Sequence, residues 1–391
     1  MTSTLRASVR RLRSGIVPLD DVERLSVGYD SVRQVVSTAL ADLASKGSHQ
    51  PLFVRGEWGT GKSHLLEFIR AAAARHGVAH AKVDLNARNA PLNYPQRFYP
   101  WVAESLTMGA TRGLRRIIEA AFTDETKRNA LIKFSWAPAS GKLGAALRNI
   151  VLQSKNNDDD YLTDDPAWGI VMGTDLPWSD GKRVLALERF AALAQLLRCI
   201  RAGGLVLVFD EVETLDQLWN RLSRTAAYET LGTITSMEAS WAVFGITRRF
   251  DQSIRRDLGY GILNYAPPLL ARNFLENWSH ERYPIVTPPQ LTENDAANLA
   301  QLLIELYSAA YPSTRVGKDS ASGLVSAWTA NPARNQRRLI RSIIDALDDR
   351  HSLAPFDTPL IRGRTPTHPE TGVCAGLQHE SHASRDRAAP E

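Results

Sequence analysis

The chain has 391 residues, of which 43% are hydrophobic, 23% charged and 8% aromatic, a composition that excludes collagenous, wholly disordered and membrane-embedded classes. Its 47 basic and 42 acidic side chains leave a net charge of +5, which permits contact with nucleic acid without requiring it. Two cysteines, Cys199 and Cys374, are too few for a disulfide framework and fit a reducing cytoplasm. At about 150 residues per domain the length suits two or three domains.

The first fourteen residues carry Arg6, Arg10, Arg11 and Arg13 and no acid. By composition this resembles an organellar transit peptide; the alternative is a short amphipathic helix with Leu5, Val9 and Leu12 on one stripe. Leu52 to Val54 then form a short apolar strand that enters a glycine-rich loop, followed by an amphipathic helix from Ser63 to about Arg75 capped by His76-Gly77. Ala79 to Leu85 reads as a second strand, completing a βαβ unit. From Asn86 to about Asp180, helix-period segments are broken by Pro91, Pro95, Pro100, Pro138 and the polar run Asn156 to Asp160, which suggests a helical insertion lying outside the sheet.

A helix over Arg183 to Ala202 leads through Gly203-Gly204 into the buried strand Leu205 to Phe209. That run, the longest apolar one near any strand, falls far short of the roughly 20 residues that cross a bilayer. A further strand is expected at Trp241 to Ile246 and a fifth near Ile262 to Leu270. Beyond Pro288-Pro289, Thr292 caps a helix to about Ala310, and Asn331-Pro332 opens another to about Asp348. The proline-rich stretch from Pro355 reads as a disordered tail. Cys374, His379 and His382 have metal-ligand spacing there but lack a fourth ligand.

The expected fold is α/β: a parallel sheet flanked by helices, with a helical insertion over about 86–180 and a C-terminal helical lid. The expected division is an α/β body over 1–287, a lid over 288–352 and a tail over 353–391.

Gly56-Glu57-Trp58-Gly59-Thr60-Gly61-Lys62-Ser63 matches the phosphate-binding GxxxxGK[ST] motif. Its glycines let backbone N–H groups cradle phosphate oxygens, and the next helix presents its positive N-terminus to the same anion. Lys62 is expected to reach the β and γ phosphates of ATP and Ser63 to hold Mg2+, with His64 beside them in the binding segment. Asp210-Glu211, at the carboxyl edge of a buried strand, supplies the second acid such a site needs, Asp210 for Mg2+ and Glu211 for the attacking water. Thr247, ending the next strand, can touch the γ phosphate or that water. Arg248, Arg249, Arg255 and Arg256 are candidates for an arginine offered to a neighbouring subunit. Arg334, followed by Arg337, Arg338 and Arg341, can meet nucleotide phosphate, DNA phosphate or water; Arg334 is the favoured nucleotide contact.

The order of P-loop, Asp-Glu strand, Thr-ended strand and helical C-terminal region with an arginine after Asn-Pro resembles an AAA+ ATPase of the replication-initiator-like branch. Arg10-Arg11-Leu12-Arg13-Ser14-Gly15-Ile16-Val17-Pro18 and Ser26-Val27-Gly28-Tyr29, ahead of the P-loop, resemble the ATP-binding proteins of bacterial BREX phage-defence systems, of the BrxD type, over about residues 8–350. The resemblance argues against a cleaved N-terminus. It implies a cytoplasmic ATPase using ATP and Mg2+, forming a homo-oligomer or binding other defence-system proteins, with DNA contact allowed and no membrane. A winged helix after the lid has no room in the tail, so autonomous sequence-specific DNA binding is not expected.

Overall fold

The computed structural model describes residues 2–154, 166–176, 180–200, 203–312, 321–331 and 334–349. The polar run 156–160, Ala202, Pro332, and the expected tail over 353–391 with Cys374, His379 and His382 lie outside the described residues.

Seven strands form one sheet: β1 (Leu52–Arg55), β2 (Ala79–Asp84), β3 (Thr107–Met108), β4 (Thr111–Arg112), β5 (Leu205–Asp210), β6 (Ser240–Ile246) and β7 (Ile285–Val286), in the order β4-β3-β2-β5-β6-β1-β7. β2, β5, β6, β1 and β7 run parallel, while β3 and β4 pair antiparallel. Every residue of β5 and β6 is buried, as a parallel sheet covered on both faces requires. Alternation sorts their side chains. Phe53, Phe209 and Phe244 stack on one face with centroids 5.0 and 5.3 Å apart, whereas Leu52, Val54, Val206, Val208 and Val243 face the other.

The helices before the second strand are α1 (Thr2–Arg13), α2 (Asp30–Lys46) and α3 (Lys62–Arg75). The stripe on α1 is real: Val9 and Leu12 are buried in a cluster with Leu303, Ile343 and Ile344, and Leu5 packs at its margin. Arg13 adds two 2.7 Å hydrogen bonds to Asp348. α2 and α3 cover one face of the sheet. The insertion supplies α4 (Pro95–Ser105), α5 (Leu114–Thr123), α6 (Glu125–Ser135), α7 (Gly141–Ser154) and α8 (Pro166–Met172), which pack with α9 (Arg183–Cys199) and α10 (Arg221–Thr235) on the opposite face.

Three expectations need correction. The insertion does not lie wholly outside the sheet, because β3 and β4 form a hairpin that joins the edge of β2, Thr107 pairing with His80, and covers backbone groups otherwise open to solvent. No strand forms at Ile262 to Leu270. That stretch is a 3-10 turn (Ile262–Tyr265), then Pro267-Pro268, then α12 (Leu269–Ser279), following α11 (Arg248–Gly259). Two prolines remove the ladder donors, and Ala271, Phe274 and Leu275 reach the core at helical spacing; the edge strand is β7.

Among the C-terminal helices, α13 (Glu293–Ala310) starts at Thr292 as expected, with a capping box shared with Asp295. α14 (Ser322–Thr329) follows, and α15 (Gln336–Asp349) begins five residues after Asn331. Arg334 has a left-handed φ of +37°, which no helix interior accepts. Asn335 then caps α15, its side-chain oxygen accepting from the Arg338 N–H at 3.1 Å.

Candidate functional site

β6 lies between β1 and β5, and all three run parallel. Their carboxyl ends therefore place the P-loop, Thr247 and Asp210-Glu211 along one edge of the sheet, where open α/β sheets bind ligands. The P-loop leaves β1 with the Gly56 N–H donating to the Ile246 carbonyl at 3.0 Å. Gly59 and Gly61 take φ of +83° and +97°. Lys62 opens α3, and no side chain caps that end, so its first N–H groups stay open to an anion.

Lys62 Nζ lies 3.1 Å from Asp210 Oδ1 and 3.2 Å from Glu213 Oε1. Ser63 Oγ donates to Asp210 Oδ2 at 3.0 Å. Asp210 is only 4% exposed. Burial alone would raise its carboxyl, but the Lys62 and Lys82 ammonium groups outweigh that and hold it below the ordinary carboxylate range. Gly245 on β6 makes the room, since a Cβ there would stand 2.8 Å from Asp210 Oδ1. Glu211 follows with φ +60°, its N–H donating to Asp210 Oδ1 at 2.9 Å. Partial desolvation, and next the charge of Asp210, push the Glu211 carboxyl upward. Thr247 caps α11, and its Oγ1 is buried without a hydrogen-bond partner among the described residues.

One cavity of about 400 Å³ joins these groups, a size within the roughly 300–1,000 Å³ of small-molecule sites. Its polar lining includes Lys62, Ser63, Asp210, Glu211, Glu213, Thr247 and Arg249. Its apolar lining includes Ile16, Val17, Leu25, Tyr29, Leu291 and Ile340. Tyr29 is 3% exposed and its hydroxyl has no partner among the described residues. His64 also lines the cavity; its Nε2 is 2.9 Å from Ser26 Oγ, its ring meets Tyr29 edge-on, and burial lowers it to about 4, which keeps it neutral at physiological pH.

The remaining P-loop residues serve its shape. Glu57 Oε1 accepts from the Arg248 N–H at 3.2 Å, and the Thr60 hydroxyl donates to the Glu57 carbonyl at 2.8 Å. Trp58 is 77% exposed with the Arg337 guanidinium 4.8 Å from its ring centroid. α15 closes over the loop here, and Gln336 donates to the Pro289 carbonyl at 2.8 Å. A Cβ on Gly59 would stand 2.3 Å from Asn335 Nδ2. Gly59→Ala is therefore expected to lower stability by about 1–2 kcal/mol through its left-handed φ, with further loss if Asn335 cannot move; chemical denaturation measures it.

The hard oxygen donors Ser63 Oγ and Asp210 Oδ2 sit together in the cavity lining and fit Mg2+, which takes one or two protein oxygens and completes its shell with phosphate and water. Among the described residues no group of three or more His, Cys, Asp or Glu can hold a metal alone.

The family model described as "BREX system ATP-binding protein BrxC/D" matches residues 3–150 and 183–358. The chain belongs to that family. No curated protein matches it. The matched segments of this BrxC/D chain include the lead-in Arg10 to Pro18, the P-loop, the acid pair and α15, and omit 151–182 at the end of the insertion. Among the described residues no helix is long and apolar enough to cross a membrane.

Two groups of site residues were beyond sequence reasoning. Glu213 escaped because only the 3-10 turn Val212–Gln217 folds it back beside Lys62. Ile16, Val17 and Tyr29 carry no motif that predicts a cavity wall. Arg334, the favoured nucleotide contact, is exposed and does not line the cavity, whereas Arg337 does. Of the four finger candidates, all on α11, Arg249 lines the cavity, Arg256 pairs with Asp216 at 2.7 Å, and Arg248 and Arg255 are exposed.

Proposed function

We propose that this BrxC/D chain is a Mg2+-dependent ATPase that couples nucleotide binding and hydrolysis to the assembly or action of a BREX-type antiviral complex. The observation that carries the reading is the meeting of Lys62, Ser63, Asp210, Glu211 and Thr247 in the lining of one cavity. P-loop N–H groups and Lys62 bind the β and γ phosphates, while Ser63 and Asp210 are the residues that would hold Mg2+. When bound, Mg2+ supplies neutralisation of phosphate charge. Glu211 orients the attacking water and accepts its proton, and Thr247 Oγ1 steadies the γ phosphate or the water. Arg249 from the same chain, or an arginine of a neighbouring subunit, stabilises charge on the transferred phosphoryl group. The apolar side chains of the lining receive the base, with the Tyr29 hydroxyl, unpartnered among the described residues, as donor. The division into a body to residue 287, a lid over 288–352 and a tail from 353 belongs to the same proposal, as do Arg334 or Arg337 as lid contacts to the nucleotide, self-association and DNA contact.

Equilibrium ATP binding and Mg2+-dependent phosphate release, with and without duplex DNA, test this reading. Lys62→Ala is expected to weaken ATP binding by at least about thirtyfold, through loss of a charge-assisted contact worth roughly 2 kcal/mol or more. Tight ATP binding with no turnover would make the chain a nucleotide-gated scaffold. Absence of ATP binding would end the proposal.

A further inference from the structure

Lys82 lies on β2, two residues before Asp84, so strand alternation points both side chains to the face covered by α3. Its ammonium is the meeting point of three carboxylates from three elements. Nζ stands 2.9 Å from Asp84 Oδ1 on its own strand, 3.2 Å from Glu67 Oε1 on α3, and 3.6 Å from Asp210 Oδ2 on β5. The Lys82 side chain is 15% exposed, Glu67 12% and Asp210 6%, so those two pairs are held mostly out of water, where charge interactions are strong, whereas Asp84 is 72% exposed and solvated. Glu67 is itself fixed by Arg70, which donates to its other oxygen at 2.8 Å.

The register explains why a cation is needed here. Asp84 and Asp210 are partners across the parallel β2–β5 ladder, so two carboxylates end adjacent strands side by side. Like charges at that spacing repel. Asp210 is also divided between two cations, Oδ1 facing Lys62 and Oδ2 facing Lys82 and the Ser63 hydroxyl. A nucleotide phosphate that engages Lys62 draws on the first of these. Lys82, absent from the cavity lining, stays with the second.

We infer that Lys82 is a positioning residue of the phosphate site: by bridging Asp84 and Asp210 it keeps Asp210 Oδ2 turned to Ser63, in the orientation required for Mg2+ delivered with ATP. This rests on the ATP and Mg2+ reading above and extends it to a residue that no phosphate-binding motif contains.

Orientation and simple charge predict opposite results, which makes the inference testable by equilibrium binding without turnover. The affinity for ATP is measured in Mg2+ and in EDTA, and their ratio is the Mg2+-dependent gain. With Lys82→Met the gain is expected to fall at least about fivefold, with affinity in EDTA changed less than about twofold; Lys82→Arg, which keeps a cation at the seat, restores most of it. If Lys82 acted only as a positive charge near the metal, its removal would raise the gain, and that result overturns the inference, as does an unchanged gain. Asp210→Asn gives the second arm. In that background Lys82→Met is expected to have no further effect, whereas an equal additional loss would mean that Lys82 acts through the fold and not through Asp210. Thermal unfolding of each variant shows that the compared proteins are folded. A wild-type chain without any Mg2+-dependent gain would instead count against the Mg2+ reading itself, and is distinct from a wild-type gain that survives Lys82→Met.

Discussion

Glu211→Gln is expected to lower ATP turnover by about 10²–10³-fold, in the range of removing a positioned general base, while ATP affinity stays within a few-fold of wild type. The argument is geometric first. The left-handed φ of +60° at Glu211 and its N–H bond to Asp210 turn the residue out of the strand direction and toward the cavity. Asp210 and Ser63 remain behind it, joined at 3.0 Å. The chemistry agrees, since partial desolvation and the neighbouring Asp210 charge raise the Glu211 carboxyl, making it a better proton acceptor than an ordinary carboxylate. Glutamine keeps the size and the backbone demand and removes only the basic oxygen. Single-turnover phosphate release beside equilibrium ATP binding separates the two effects. Equal turnover in variant and wild type would move the base elsewhere, with Glu213, 3.2 Å from Lys62 Nζ, as the next residue to replace.

What could be read from the sequence follows the range of the interactions that specify it. The P-loop is eight contiguous residues whose glycines and charges act locally, so the motif was legible without a fold. The acids were legible because Leu205 to Phe209 is apolar at every position, as a strand buried on both faces must be; Asp210 could only emerge at its end. Thr247 followed from the same pattern in β6. Strands of two residues, β3, β4 and β7, carry no periodicity, so the hairpin and the last parallel strand were invisible, and Ile262 to Leu270 was mistaken for the latter. Convergence over long separations was hidden as well. Lys62 meets Glu213 across 151 positions, and Ile16 shares a cavity with Ile340. In α15 the spacing of the arginines was visible, but which one faces the loop depended on the left-handed turn at Arg334.

The turn that carries Glu213 is held from behind by one buried cation, and its removal carries the second large effect. Arg224 on α10 is 6% exposed. Its Nε donates to Asp257 on α11, and its Nη1 donates to the carbonyls of Leu215 and Leu218 at 3.1 Å each. Tyr228 donates its hydroxyl to the same Asp257 oxygen at 2.6 Å. Burial, then the Asp257 charge, hold that phenol well above its ordinary range, so it stays a donor and cannot replace the cation. Arg224→Met leaves the Asp257 carboxylate, itself 6% exposed, with the Tyr228 hydroxyl and the exposed Arg256 at 3.9 Å as its remaining partners, and strips the Leu218 carbonyl of its donor, while the Leu215 carbonyl keeps the Leu218 N–H at 3.1 Å. The expected loss is about 3–5 kcal/mol of folding stability, read by chemical denaturation. Arg224→Met with Asp257→Leu is expected to recover much of it, because an apolar pair of similar volume avoids the buried charge. The Val212–Gln217 turn lies between these anchors and Glu211. Loosening it should therefore reduce turnover by a larger factor than ATP affinity, the P-loop being anchored separately on β1 and α3. An Arg224→Met protein within about 1 kcal/mol of wild type, below the usual cost of breaking a buried pair, would show that water, Tyr228 or Arg256 compensates the carboxylate and that the turn does not depend on Arg224.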